Sequence, residues 1–200
     1  MTDHAILLTP EDYRSTPWKN GGGVSLDIAS AHEPGAAPES YDGMLWRFGR
    51  TSILQPGPFS DLTGFERLQL VLNGSGLVLQ TPDGEIDLRE ALQPVRYDGG
   101  LPVTTRLENG PVEVINLIAD REQCDIDMRV LRAGDGAVAL PAGASILYTP
   151  DAPSAVRAGG RRFELATGHA LRCDHAAPLQ VTVEEGFVVA ACIALRAHRL

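Results

Sequence analysis

The chain is poor in cysteine, histidine, aromatic residues and positive charge, and it lacks any long apolar run. Its three cysteines, Cys124, Cys173 and Cys192, are odd in number, widely spaced and free of CxxC pairs. That argues against a disulfide framework and against a thiolate zinc site, and leaves reduced thiols as the expectation. Seventeen Lys and Arg stand against 26 Asp and Glu, for a net charge of −9, so the basic footprint that phosphate backbones and anionic lipid demand is missing. Nucleic acid and membranes are not expected partners. No apolar stretch approaches the roughly 20 residues of a bilayer span, and the first ten residues carry no basic and apolar signal-peptide pattern. A cytoplasmic location is expected. The five histidines, His4, His32, His169, His175 and His198, fall outside the segments with the strongest motifs. His169, Cys173 and His175 have a ligand-like spacing but fall short of the four ligands of a structural zinc site, so no metal is expected there. No Gly-x-Ser-x-Gly elbow, His-Glu-x-x-His helix or post-strand GxGxxG turn occurs, and nothing pairs a nucleophile with a base.

Glycine and proline, in contrast, are abundant, with 21 and 14 copies, and they interrupt the chain too often for long amphipathic helices. An all-β fold follows, of one domain or two small halves. Thr9, Pro10 and Asp12 suit one short helical turn before Pro17. Leu68–Leu72 and Leu77–Gln80, joined by Asn73-Gly74-Ser75-Gly76, read as a hairpin. Further strands are expected at 23–29, 45–54, 112–119, 126–131, 137–140, 145–149, 179–183 and 187–195. The segment 31–42 reads as an exposed loop. A charged stretch around 120–125 divides the chain into halves 1–122 and 123–200.

Pro17-Trp18-Lys19-Asn20-Gly21-Gly22-Gly23 places an aromatic, a cation and an amide beside three glycines, where backbone can approach a ligand closely. A glycine-rich turn with Trp18 in the core is the competing reading. Trp46 and Arg47 lie in one strand, so their side chains leave on opposite faces and only one can enter a given cavity. Gly57-Pro58-Phe59-Ser60 and Gly64-Phe65-Glu66-Arg67 approach the first strand of the hairpin. Arg67 either grips a carboxylate bidentately or forms a surface pair with Glu66 or Asp61. Asn116 interrupts the apolar run 112–119, so backbone, water or a ligand must satisfy it.

Together with Leu72-Asn73-Gly74-Ser75-Gly76 and Gly110-Pro111, these strings resemble the HutD/Ves family, most clearly over residues 7–120. The resemblance implies a bicupin, two packed cupin-type (RmlC-like) β-barrels or jelly rolls, linked to histidine utilisation. It further implies binding of a small acidic catabolite, urocanate or a formyl or formimino derivative of glutamate, to moderate that pathway. Val114-Ile115-Asn116 departs from the family's Asp-Phe-Asn. Phe59 and Asp61 stand near the places of a metal cupin's first histidine pair, and Pro141-Ala142-Gly143 is followed by aliphatic and hydroxyl residues, so no metal or other cofactor is expected.

Three functions are therefore in view. The first is a ligand-binding regulator with no catalytic residue, in which Lys19, Arg47 and Arg67 meet carboxylates, Asn20 and Asn116 orient polar groups, and Trp18, Trp46 and Phe59 form apolar walls. Not all eight can point inward. The second is a metal-free cupin isomerase or hydrolase acting on a small acid, with Glu66 or Asp61 as proton shuttle. The third is a scaffold that binds a protein through a sheet edge. Oligomeric state is left open, with a homodimer among the options.

Overall fold

A computed structural model describes residues 4–18, 21–37 and 40–196. Among them are eighteen β-strands and no α-helix, and none of the helical structure is long and apolar enough to cross a membrane. The one helical element is a 3-10 turn at Pro10–Asp12. The Asp12 carboxylate accepts hydrogen bonds from the Thr9 N–H (2.8 Å) and hydroxyl (2.9 Å), the capping arrangement that Thr9 and Asp12 suggest.

The chain divides into two compact units, Arg14–Cys124 and a second made of the residues up to Tyr13 with those from Asp125 onward. The division after residue 124 falls two residues from the expected one. The N-terminal segment, however, belongs with the C-terminal half. Strand β1 (His4–Leu8) pairs antiparallel with a strand at Ala170–His175, from His4 against Asp174 to Leu8 against Ala170. The Tyr13 hydroxyl donates to the Gly168 carbonyl at 2.8 Å.

The first unit holds β2 (Arg14–Pro17), β3 (Gly23–His32), β4 (Met44–Ile53), β5 (Phe65–Asn73), β6 (Leu77–Thr81), β7 (Gly84–Leu88), β8 (Val95–Asp98), β9 (Thr104–Leu107) and β10 (Val112–Asp120). A six-stranded sheet runs β2-β3-β4-β10-β5-β8 and a three-stranded one β7-β6-β9. Ile53, Val71 and Val114 of the larger sheet share one core with Leu77, Leu79 and Leu88 of the smaller. The expected hairpin is corrected here. Both of its strands form, but β5 lies between β10 and β8 while β6 lies between β7 and β9. With both edges of each strand already paired, Asn73–Gly76 carries the chain from one sheet to the other. The expected loop at 31–42 also begins later, because Ala31 and His32 still pair with Trp46 and Met44.

The second unit adds β11 (Cys124–Arg132), β12 (Ala137–Leu140), β13 (Gly143–Tyr148), β14 (Ser154–Ala158), β15 (Arg161–Leu165), β16 (Ala170–His175), β17 (Leu179–Glu185) and β18 (Phe187–Leu195). Its sheets run β1-β16-β13-β18-β11 and β12-β17-β14-β15. Leu147, Leu171, Cys173 and Ala190 meet Val156, Leu165, Val181 and Val183 in its core. The apolar run of β18 is buried on both faces, as an uninterrupted run rather than an alternating one requires. The architecture is a bicupin.

Candidate functional site

The larger sheet of the first unit lines a cavity of about 690 Å³. Its lining follows from register. Arg47, Gly49, Thr51 and Ile53 of β4 face it, whereas Trp46 and Phe48 do not, which is strand periodicity. Directly across β10 and β5, Arg47, Ile118 and Arg67 form one row, and Gly49, Asn116 and Gln69 the next. Trp18, Arg47, Phe59, Arg67 and Asn116, named from the sequence, all line this one cavity. Trp46 does not: it is 2% exposed and leaves β4 on the opposite face from Arg47, so it is removed from the candidate walls. Lys19 and Asn20 lie outside the described residues.

Trp18 sits at the glycine-rich string and its placement depends on Gly23. A Cβ at Gly23 would lie 2.5 Å from the Ser52 carbonyl oxygen and 3.1 Å from the Trp18 ring, so only glycine lets β3, β4 and the indole approach this closely. The indole N–H donates to Ser25 Oγ at 2.9 Å, and Trp18 meets Phe59 edge-on with centroids 6.2 Å apart. Trp18 thus belongs to the cavity wall and not only to the core.

The charged groups are unequal in number. Arg14, Arg47 and Arg67 line the cavity, and among the described lining residues Asp27 is the sole carboxylate. Asp27 accepts from Arg14 at 2.9 Å and stands 3.8 Å from Arg47 Nε. The cavity is therefore electropositive within a chain of net charge −9. Arg47 also lies over the Tyr41 ring, 4.8 Å from its centroid. Arg67 is 7% exposed and stacks against Phe59 (4.7 Å) and Tyr97 (5.3 Å). It makes no ion pair with a described residue. Glu66 pairs instead with Arg96, and Asp61 accepts from the Thr63 N–H and hydroxyl. Neither acid lines the cavity, so a surface pair for Arg67 and a proton-shuttle role for Glu66 or Asp61 both lack the required geometry.

Several buried polar atoms of residues that line this space have no hydrogen-bond partner among the described residues: Arg67 Nε, Arg47 Nε and Nη2, Gln69 Nε2 and Asn116 Oδ1. Buried polar groups are normally paired, and an unanswered one costs about 1–3 kcal/mol. Four such donors and one acceptor thus belong to residues around one cavity. Asn116 donates through Nδ2 to Thr51 Oγ1 at 3.2 Å. Gln69 accepts through Oε1 from the Tyr97 hydroxyl at 2.9 Å. Burial pushes the Tyr97 hydroxyl up to about 12, and the Arg67 charge opposes that in part, so the phenol is a neutral donor at physiological pH.

A metal does not fit the described lining residues, which offer one carboxylate and no imidazole or thiolate. Among the described residues no three His, Cys, Asp or Glu side chains converge elsewhere. His175 is buried, with Nε2 2.9 Å from Ser145 Oγ and Nδ1 2.9 Å from the Ala177 carbonyl. Sequence reasoning missed Gln69, Thr51, Ser25, Asp27, Tyr41 and Tyr97. For Gln69 the signal was present: like Asn116, it is a polar residue within an apolar run, Leu68–Leu72.

The chain is similar to known proteins over most of its length. The HutD family model matches residues 10–191. A Pseudomonas putida protein described as an uncharacterized 21.2 kDa protein in the hutC 3′ region is 32% identical over 112 residues, 56% of each chain. The matched stretch thus spans a little over half of that relative's length. Among solved structures, a conserved protein of unknown function from Pseudomonas aeruginosa PAO1 superposes with a TM-score of 0.84 at 25% identity, covering 96% of this chain and 99% of its own. HutD from Pseudomonas fluorescens SBW25, in a formate condition, gives 0.79 at 26% identity, covering 97% and 100%.

Proposed function

The chain is a member of the HutD family, and on that premise we propose that its N-terminal cupin unit binds a small acidic metabolite of histidine utilisation. The ligand is urocanate or a formyl or formimino derivative of glutamate, and its binding moderates the pathway. The observation that carries this reading is Arg67, a guanidinium 7% exposed with Nε unanswered. A buried cation without a partner is costly unless an anion answers it, and a carboxylate is the anion whose two oxygens match a guanidinium fork. Arg47 offers a second fork, Trp18 and Phe59 supply apolar walls, and Asn116 orients a polar group. Lys19 and Asn20, which follow Trp18 in the sequence, complete the proposed set. Histidine utilisation enters through the family relation and through the Pseudomonas putida relative, which lies in a hutC region.

Calorimetry tests the reading with the whole chain as receptor and urocanate, N-formylglutamate and formate as probes. At least one should bind, and Lys19→Ala should weaken it about tenfold to a hundredfold, the loss of one charge-assisted hydrogen bond. No detectable binding of any small carboxylate overturns it.

A further inference from the structure

Among the described lining residues, Asp27 is one acid among three arginines. Its Oδ2 accepts from Arg14 Nη2 at 2.9 Å and stands 3.8 Å from Arg47 Nε. One oxygen thus faces two cations but hydrogen-bonds only Arg14, and Arg47 Nε and Nη2 keep no hydrogen-bond partner among the described residues. Register brings the three groups together. Arg14 of β2 pairs with Asp27 of β3, and Asp27 pairs with Gly49 of β4, two positions from Arg47 on the same face. Glycine at 49 puts no side chain directly opposite the acid.

Asp27 does not orient Arg47, because orientation needs a directional bond and Asp27 Oδ2 gives its bond to Arg14. The guanidinium is held instead over the Tyr41 ring, 4.8 Å from its centroid. The acid and Arg47 are nevertheless close and sheltered, with side chains 15% and 13% exposed, so water and salt screen their charges less than at the surface. Asp27 therefore offsets part of the Arg47 charge and leaves its donors open. A ligand oxygen that bonds Arg47 Nε at about 2.9 Å lies no more than about 7 Å from Asp27 Oδ2. Two negative charges at that separation repel.

We propose that Asp27 is a built-in counter-charge that holds down the affinity of the cavity for anions. This rests on the acidic-ligand reading and goes beyond it, because it separates the groups that bind from the group that limits binding. Arg67 and Arg47 hold the ligand; Asp27 sets how tightly. Arginines with no acid among them would stay filled at any concentration of a small anion, whereas occupancy follows ligand concentration only when the two are near the Kd. A protein that moderates a pathway needs the second behaviour.

Calorimetry on the whole chain tests this, with urocanate, N-formylglutamate and formate as probes. Asp27→Asn keeps the size and an oxygen for Arg14 and removes the charge. It should tighten whichever probes wild type binds by about tenfold or more, and Asp27→Ser should do the same with a shorter side chain. Glu66→Gln removes one negative charge beside Arg67 in sequence but outside the cavity, where Glu66 pairs with Arg96. It should change affinity by about twofold or less, which separates a local counter-charge from the net charge of the chain. An acid kept only for the fold gives the opposite pattern in Asp27→Asn, a lower melting temperature with affinity unchanged or reduced. Thermal unfolding reports which variants are folded. A folded Asp27 variant that binds no more tightly than wild type, or equal tightening by Glu66→Gln, overturns the counter-charge and leaves the acidic-ligand reading standing. Binding that appears only in the Asp27 variants upholds the counter-charge. No binding of any probe by any of these proteins removes both readings.

Discussion

Arg67→Met separates the two roles that a buried cation can play. In the protein the guanidinium stacks on Phe59 at 4.7 Å and Tyr97 at 5.3 Å, and Nε has no partner. Methionine is of similar reach and apolar, so packing along the side-chain stem survives. Two effects then oppose each other. Each lost cation–π contact costs about 0.5–2 kcal/mol, while removing an unanswered buried donor returns about 1–3 kcal/mol and relieves the desolvation of the charge as well. Ligand-free stability should therefore change by no more than about 1 kcal/mol, a melting shift of under about 4 °C for a chain of this size. Binding has no such compensation. A lost charge-assisted hydrogen bond of about 1.5–3 kcal/mol weakens an acidic ligand roughly tenfold to a hundredfold. At a ligand concentration about 100 times the wild-type Kd, wild type gains about 2.7 kcal/mol, and a variant weakened a hundredfold only about 0.4 kcal/mol.

Arg50→Met is the contrasting control. Arg50 is bidentate to Glu113, which also accepts from Asn73 Nδ2 at 3.2 Å, and Arg50 does not line the cavity. Removing it leaves a carboxylate without its cation, so stability should fall by about 1 kcal/mol, a modest figure because the pair is partly solvated, and ligand affinity should not change. Melting curves with and without ligand, together with calorimetry, read both quantities on the same samples. An Arg67→Met protein that melts more than about 8 °C lower and binds acids as wild type does would make Arg67 a structural residue and refute the reasoning.

Burial pushes the Cys173 thiol up to about 12 and the Cys192 thiol up to about 11, and Cys124 is 2% exposed. A thiol-exchange reagent near pH 8 should therefore label none of the three in the native protein and all three in denaturant; rapid native labelling would contradict this. At Gly49 a Cβ would lie 2.5 Å from the Leu26 carbonyl oxygen, so Gly49→Ala must push β3 away from β4 at the cavity floor. It should cost about 1–3 kcal/mol in denaturant titrations and weaken ligand binding, and a neutral result on both would show that the strands have slack there. Tyr97 has its pKa raised from 10.0 to about 12. Because the folded value is the higher one, the associated stability is fully present below pH 10 and is lost as pH rises towards about 12. Denaturation midpoints should drop across that window, less steeply in Tyr97→Phe, and equal slopes would refute the assignment.

What was legible in the sequence follows from what holds each element. Strands β4, β10 and β18 could be read because their apolar positions are set by burial of their own side chains. Strands β7, β9, β14 and β15 could not. They are short, and they carry ion pairs such as Arg106 with Glu85, and Arg157 and Arg162 with Glu184, so little in their sequences marks them, although each pairs with at least one neighbouring strand. The hairpin failed for a different reason. Turn residues at Asn73–Gly76 specify that the chain reverses locally, whereas the partners of β5 and β6 are set by β10, β8, β9 and β7, with paired residues as far apart in sequence as Phe65 and Asp120. The site divides the same way. Arg67 and Asn116 were legible because a cation beside a turn motif and an amide inside an apolar run are local anomalies. That Arg67 stacks on Tyr97, and that Tyr97 turns the Gln69 amide, depends on the pairing of Arg67 with Tyr97 across β5 and β8, a contact between residues thirty apart. Gln69 breaks its run as plainly as Asn116 does. What the sequence does not show is Tyr97 beside it, and without that phenol, which donates to Gln69 Oε1 at 2.9 Å, a buried glutamine has no defined orientation.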